Sequence, residues 1–96
     1  MIQIEQTEAF AKWYAKLKNK EARARINVRI RRVSLGNFGD FKSVGSGVSE
    51  LRIDYGAGYR IYFTKKGEEI VILLAGGDKR TQEKDILKAI KLAENL

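Results

Sequence analysis

Two arginines, Arg52 and Arg60, stand in the run ELRIDYGAGYRIYF, residues 50 to 63, whose pattern predicts two strands joined by a glycine turn. Each arginine falls among polar neighbours, while Leu51, Ile53, Ile61 and Phe63 alternate to the other face. A guanidinium forks onto phosphate oxygens and stacks its plane on rings, so this pair suits a phosphodiester. The chain has no cysteine and no histidine. That excludes thiol nucleophiles, zinc sites built on those ligands and imidazole acid–base catalysis. Chemistry falls to Lys, Arg, Tyr, Ser, Thr and carboxylates, and no metal site or cofactor is expected.

The wider charge pattern points the same way. Nineteen Lys and Arg against 12 acidic residues give a formal charge of +7, a balance that favours polyanionic partners, although a solvated basic surface would also serve solubility. The charge is concentrated: residues 20 to 32, KEARARINVRIRR, hold six basic side chains and one acidic. Arg25, Arg29 and Arg32 recur there at helical spacing. They form either a stripe for RNA phosphates that ignores sequence or a solvated helix face.

The elements that must position these residues follow from periodicity. Ile2 and Ile4 alternate in a short strand, and Thr7 is a candidate N-cap for a helix whose Phe10, Trp13, Tyr14 and Leu17 make a core stripe. A break at Asn19 and Lys20 leads to a second helix, with Ala22, Ile26, Ile30 and Val33 on one face, ending before Gly36. Two helices so closely joined predict an antiparallel helical hairpin. LGNFGDFKSVGSG reads as a loop, and strands follow at Val48 to Tyr55, Tyr59 to Lys65 and Glu69 to Ala75, the last apolar on both faces and so expected inside the sheet. Thr81 is a candidate N-cap for a last helix with an apolar stripe of Ile86, Ala89, Ile90 and Ala93. The expectation is a single α+β domain over residues 1 to 96, in the order β-α-α-β-β-β-α, with a mainly antiparallel sheet and the helical hairpin on one face. The longest apolar run, Ile70 to Ala75, is too short to span a bilayer, and MIQIEQ lacks the features of a secretory signal. A cytoplasmic location without membrane contact is therefore expected.

With GAG as a three-residue loop, Asp54 is predicted to face Arg60, and Arg52 to face Tyr62, across the hairpin. One outcome is a surface ion pair with little energetic weight. The other is a binding face, in which Val71 and Leu73 of the next strand supply an apolar floor ringed by Arg52, Arg60 and the GGDKR segment. A basic rim on such a floor suits RNA.

The run GVSELRIDYGAGYRIYF, followed by an apolar strand and GGDKRTQEKDI, resembles the RelE/ParE toxin superfamily, most closely its HigB-like addiction-module killer branch. The resemblance extends over the whole chain, including QTEAFAKWYAKLKNKEARARI. It implies a RelE-like fold and the toxin of a type II toxin–antitoxin pair: a ribosome-dependent endonuclease that cuts messenger RNA by attack of a 2′-hydroxyl on the scissile phosphate. It also implies a cognate helix-turn-helix antitoxin as partner, beside the ribosome and its message. Arg52, Arg60 and Lys79 match the family's basic catalytic positions, with Arg80 the neighbouring alternative to Lys79. Several members place a tyrosine or histidine near the start of the last helix, where TQEKDI offers Gln82, Glu83 and Asp85, and another basic position appears here as Glu50. The general base is therefore sought among Glu50, Glu83 and Asp85, with Asp85 carried as the catalytic candidate. Lys42, Arg25, Arg29, Arg32, Tyr62 and Arg80 are expected to bind RNA, and Val71 and Leu73 to receive the antitoxin. The alternative is a non-enzymatic inhibitor of DNA gyrase like the ParE branch, which the missing tyrosine or histidine favours; a plain RNA-binding module would explain the charge alone.

Overall fold

A computed structural model describes residues 1–96. Strand β1 (Gln3–Gln6) leads into helices α1 (Glu8–Lys16) and α2 (Lys20–Ser34). Strands β2 (Phe41–Gly45), β3 (Val48–Ile53), β4 (Tyr59–Lys66) and β5 (Ile70–Asp78) follow, then a 3-10 turn (Lys79–Thr81) and helix α3 (Gln82–Glu94). The five strands form one sheet in the order β1-β5-β4-β3-β2, antiparallel except for the β1–β5 pair. The architecture is α+β, as expected, with one strand more than the pattern predicted. β2 lies in a segment expected to be loop, because an edge strand of FKSVG has no apolar alternation: four of its five residues are exposed.

The helix starts follow the local chemistry. The Thr7 hydroxyl accepts a hydrogen bond from the Phe10 N–H at 3.1 Å and donates to the Leu74 carbonyl at 2.6 Å, capping α1 and pinning it to β5. The Asn19 side chain caps α2 by accepting from the Ala22 N–H. Thr81 makes no side-chain cap for α3. The turn before it is capped instead by Asp78, whose carboxylate accepts from the Arg80 N–H at 2.9 Å.

Each sheet face carries its own core. Between the sheet and the α1–α2 hairpin lie Phe10, Ile26, Val33, Leu51, Ile53, Ile61, Phe63, Val71 and Leu73. Between the sheet and α3 lie Val48, Tyr62, Ile72, Leu74, Ala75 and Ala89. β5 is thus covered on both sides, as its doubly apolar pattern predicted.

Two departures in register reshape the expected site. The β3–β4 connection is not the three-residue GAG loop: Ile53 pairs with Tyr59, leaving Asp54 to Gly58 as the turn, closed by the Gly58 N–H donating to the Tyr55 carbonyl at 3.0 Å. Gly56 and Gly58 take φ of 56° and 78° there, a conformation that favours glycine. Arg52 therefore faces Arg60, and Glu50 faces Tyr62; the predicted Asp54–Arg60 and Arg52–Tyr62 pairings do not form. The slip is two residues, so each side chain keeps its face. In β5, by contrast, a bulge pairs Tyr62 with Ala75 and Phe63 with Leu73, so Leu74 is an extra residue and the alternation changes phase. Val71 and Leu73 consequently point into the α1–α2 core, 1% and 2% exposed, on the face opposite the arginines. The predicted apolar floor for an antitoxin is not a surface.

Candidate functional site

Three of the basic residues singled out in the sequence converge at one end of the sheet. Arg52, Arg60 and Lys79 line a cleft of about 360 Å³ together with Asp40, Asp54 and Gly58. β3 and β4 bring the two arginines side by side, and the end of β5 delivers Lys79. The turn glycine is required by its backbone rather than by space: Gly58 has φ of 78°, while a Cβ there would stand in ordinary contact, 3.4 Å from the Lys79 Cβ and 3.7 Å from Arg60 Nη1.

Each cation is held differently. Arg52 donates from Nε and Nη2 to one carboxylate oxygen of Asp40, at 3.1 and 2.8 Å, in a half-exposed pair. Arg60 is sunk into the site with 11% of its side chain exposed; its Nη1 reaches the Gly58 and Tyr59 carbonyls at 3.3 Å, and its Nε lies 3.9 Å from a Glu50 oxygen. Lys79 is exposed and forms no ion pair, so it is the free cation of the cleft.

Beneath Arg60 lies a buried polar layer. Glu50 is fully buried, and its carboxylate accepts from the Gln82 Nε2 at 3.1 and 3.2 Å, tying the first turn of α3 to β3. Tyr62 is fully buried with no partner for its hydroxyl, and Arg60 Nε likewise has none. Burial first, and then the nearby Glu50, raises the Tyr62 phenol well above its ordinary range, with Arg60 opposing. Tyr62 therefore offers no ring to a base in this form, contrary to its expected RNA contact.

The carboxylate candidates separate clearly. Glu50 is a buried counter-ion without access to the cleft. Asp85 accepts from the Thr81 hydroxyl at 2.6 Å and lies against Gly77, where a Cβ would come within 1.9 Å of its oxygen. Glu83 lies on the adjacent surface with Lys79, Arg80 and Lys84. Asp40 and Asp54 are the carboxylates that line the cleft itself. The sequence reading missed both roles. Asp40 sits 12 positions from Arg52 in an aperiodic loop, and Asp54 was assigned to a pairing that the longer turn removes.

The remaining basic residues divide into scaffold and surface. Arg29 donates to the carbonyls of Arg52, Phe38 and Asp40 at 2.5, 3.1 and 2.9 Å. Burial lowers its pKa from the ordinary arginine value, with Asp40 opposing. It clamps the loop that carries Asp40 onto β3 and is not free for phosphate, which corrects its place in the expected stripe. Arg25 pairs with Glu21 at 3.0 Å and lies over the Tyr55 ring at 4.6 Å, while Arg32 is exposed and unpaired. Lys42 is exposed on edge strand β2, and Arg80 is an exposed partner of Asp78 at 2.9 Å, holding that carboxyl below its usual range.

Residues 12–96 match the phage derived protein Gp49-like (DUF891) family. The chain belongs to that family. This Gp49-like protein is 56% identical over 95 residues to an uncharacterized protein of Haemophilus influenzae (strain Rd), covering 99% of the chain and 96% of that relative. Two solved structures share its fold. The free-state E. coli toxin RelE, a double mutant, superposes with a TM-score of 0.73 at 17% identity, over 94% of this chain and 95% of its own. A chain of the intact E. coli RelBE toxin–antitoxin complex gives 0.69 at 17% identity, over 81% and 96%. The Gp49-like protein therefore has the RelE-like fold that the sequence resemblance implied. No helix in it is long and apolar enough to cross a membrane.

Proposed function

We propose that this Gp49-like protein is the toxin of a type II toxin–antitoxin pair and cuts messenger RNA on the ribosome. The observation that carries the reading is the convergence of Arg52, Arg60 and Lys79 on one cleft, from three separate elements. The RelE-like fold supports it, since one solved neighbour is a toxin in complex with its antitoxin. The HigB-like branch and the cytoplasm as its place of action belong to the same proposal, with a helix-turn-helix antitoxin as partner.

The chemistry fits these residue types. Attack by a 2′-hydroxyl on the adjacent phosphorus builds negative charge on the phosphoryl oxygens, and fixed cations aimed there lower the barrier; the P–O5′ bond breaks as the 2′,3′-cyclic phosphate forms, and the departing 5′-oxygen takes its proton from water. Arg60, held from below by backbone carbonyls and Glu50, is the pre-set ligand, and Lys79 supplies the unneutralised charge. Arg52 joins them by exchanging Asp40 for phosphate. The hydroxyl proton needs an acceptor within reach. Asp54 is the cleft carboxylate with no ion pair of its own, which makes it a stronger candidate than Asp85.

Primer extension on a message in a reconstituted translation reaction tests this directly. Cuts at codon-related positions are expected only when ribosomes are present. In that assay Asp54→Asn should lower single-turnover cleavage about 100-fold or more, within the range for loss of a general base, whereas Asp85→Asn should act mainly on stability. Intact message together with arrested supercoiling by DNA gyrase would select the non-enzymatic inhibitor instead.

A further inference from the structure

A second basic surface lies outside the cleft. Where β1 ends its pairing at Leu73, the rest of β5 runs on beside α1. There a groove of about 500 Å³ opens between α1 and α3, lined by Glu8, Ala9, Lys12, Trp13, Lys16 and Lys88. Its aromatic wall is placed by a glycine: a Cβ on Gly76 would meet three atoms of the Trp13 ring at 2.2 to 2.5 Å, so only a bare backbone lets the indole settle on β5. Trp13 remains partly exposed, its ring 6.4 Å from that of Tyr59.

We propose that this groove is a second contact for single-stranded RNA, in which one base stacks on Trp13 while Lys16 and Lys88 hold the flanking phosphates. Lys12 is neutralised by Glu8 at 2.9 Å, but Lys16 and Lys88 make no ion pair. A ring beside free cations is the pattern that binds single strands without reading sequence. The groove also connects to the cleft. Lys84 and Lys88 are one turn apart on α3, and Lys84 shares the intervening surface with Lys79 and Arg80. A strand leaving the phosphate site at Arg60 and Lys79 thus meets cations along the start of α3 until it reaches Trp13. An acidic polypeptide is the weaker occupant, because Ala9 and Trp13 are the only apolar residues lining the groove and present no row for a helix or strand.

This inference rests on the RNA reading of the cleft, yet it has its own readout. Trp13 is the only tryptophan in the chain, so its fluorescence reports this groove. Titration with a short oligouridylate should quench it saturably, and polyglutamate should not. The double variant Lys16→Gln, Lys88→Gln should bind about tenfold more weakly at low salt, with the slope of log affinity against log salt reduced by about 1.4, two phosphate contacts at about 0.7 each. Circular dichroism should show its fold unchanged, since both lysines are exposed and unpaired. Absence of quenching by RNA, an unaltered slope in the lysine variant, or an equal response to polyglutamate would each overturn the proposal. So would quenching abolished by Arg52→Gln but untouched by the lysine pair, which would place the response in the cleft. Ribosome-dependent cutting without Trp13 quenching would remove the groove and leave the cleavage reading. Quenching in a chain that leaves every message intact would do the reverse.

Discussion

Arg60 is both a candidate ligand and part of the structure. The sequence presented it as a strand arginine facing solvent or Asp54; in the fold it is the lid over a buried glutamate, 3.9 Å from Glu50. Arg60→Ala should therefore lower single-turnover cleavage by at least about 100-fold, the scale for loss of one transition-state donor. It should also cost roughly 1–3 kcal/mol in urea unfolding, because Glu50 keeps only Gln82 as a partner. Arg60→Lys separates the two effects: the charge above Glu50 remains, so most of the stability returns while the phosphate fork is lost. Cleavage fully restored by lysine would show that charge alone suffices. Tyr62 gives a second test. Its hydroxyl is buried without a partner, so Tyr62→Phe should be neutral or stabilising by up to about 1 kcal/mol. The sign of the pH effect follows from its raised pKa: the folded state keeps its proton when the unfolded chain has lost it. Stability is thus fully present below the unfolded value of about 10 and declines as pH rises above it. The Phe variant should lose less stability than the parent between neutral pH and the alkaline limb, and parallel curves would mean that the phenol is not buried in solution.

At the scale of elements, the sequence was legible where one physical constraint dominated. The α1, α2 and α3 stripes, the cap at Thr7, the break at Asn19 and the covered strand β5 all follow from periodicity with local hydrogen bonding, whereas the expected cap at Thr81 does not form. Faces survived even in the β3–β4 hairpin, because a two-residue slip preserves alternation. What was hidden depends on geometry without periodic signature. Edge strand β2 buries almost nothing, and β5 is apolar on both sides, so its pattern could not reveal the bulge at Leu74. That bulge decides the fate of Leu73, which joins Phe10 and Ile26 in the helical-hairpin core rather than the arginines. Leu73→Asp should unfold the domain outright, a loss exceeding about 4 kcal/mol for an unpaired buried charge. A native circular dichroism spectrum for that variant would restore Leu73 as a surface residue. Arg29→Gln is expected to be milder, at about 2–3 kcal/mol, since three backbone carbonyls lose a charged donor. It should also loosen Asp40 and with it the seat of Arg52.

For the molecule as a whole, the clustering of basic residues proved easier to read than their division of labour. A segment with six cations pointed to a polyanion, but the helix that carries it spends Arg29 on the scaffold and leaves Arg25 and Arg32 facing a groove with Val28. Periodicity places the three arginines on one stripe; only the Phe38 to Asp40 loop, brought in by the tertiary fold, ties one of them, Arg29, to backbone carbonyls while it still lines that groove. The test of long-range attraction must therefore spare Arg29. Arg25→Gln with Arg32→Gln should leave the unfolding midpoint nearly unchanged, because the Arg25 pair with Glu21 is exposed and Arg32 has none. Ribosome affinity should fall, and the slope of log affinity against log salt should shrink by up to about 1.8, two duplex phosphates at about 0.9 each. Cutting at saturating protein should persist, since neither side chain lines the cleft of Arg52, Arg60 and Lys79. An unchanged slope with unchanged affinity would leave this groove in solvent and move ribosome attraction to the lysines along α3. A loss of cutting that saturation does not recover would instead make α2 part of the site and join the gripping surface to the chemical one.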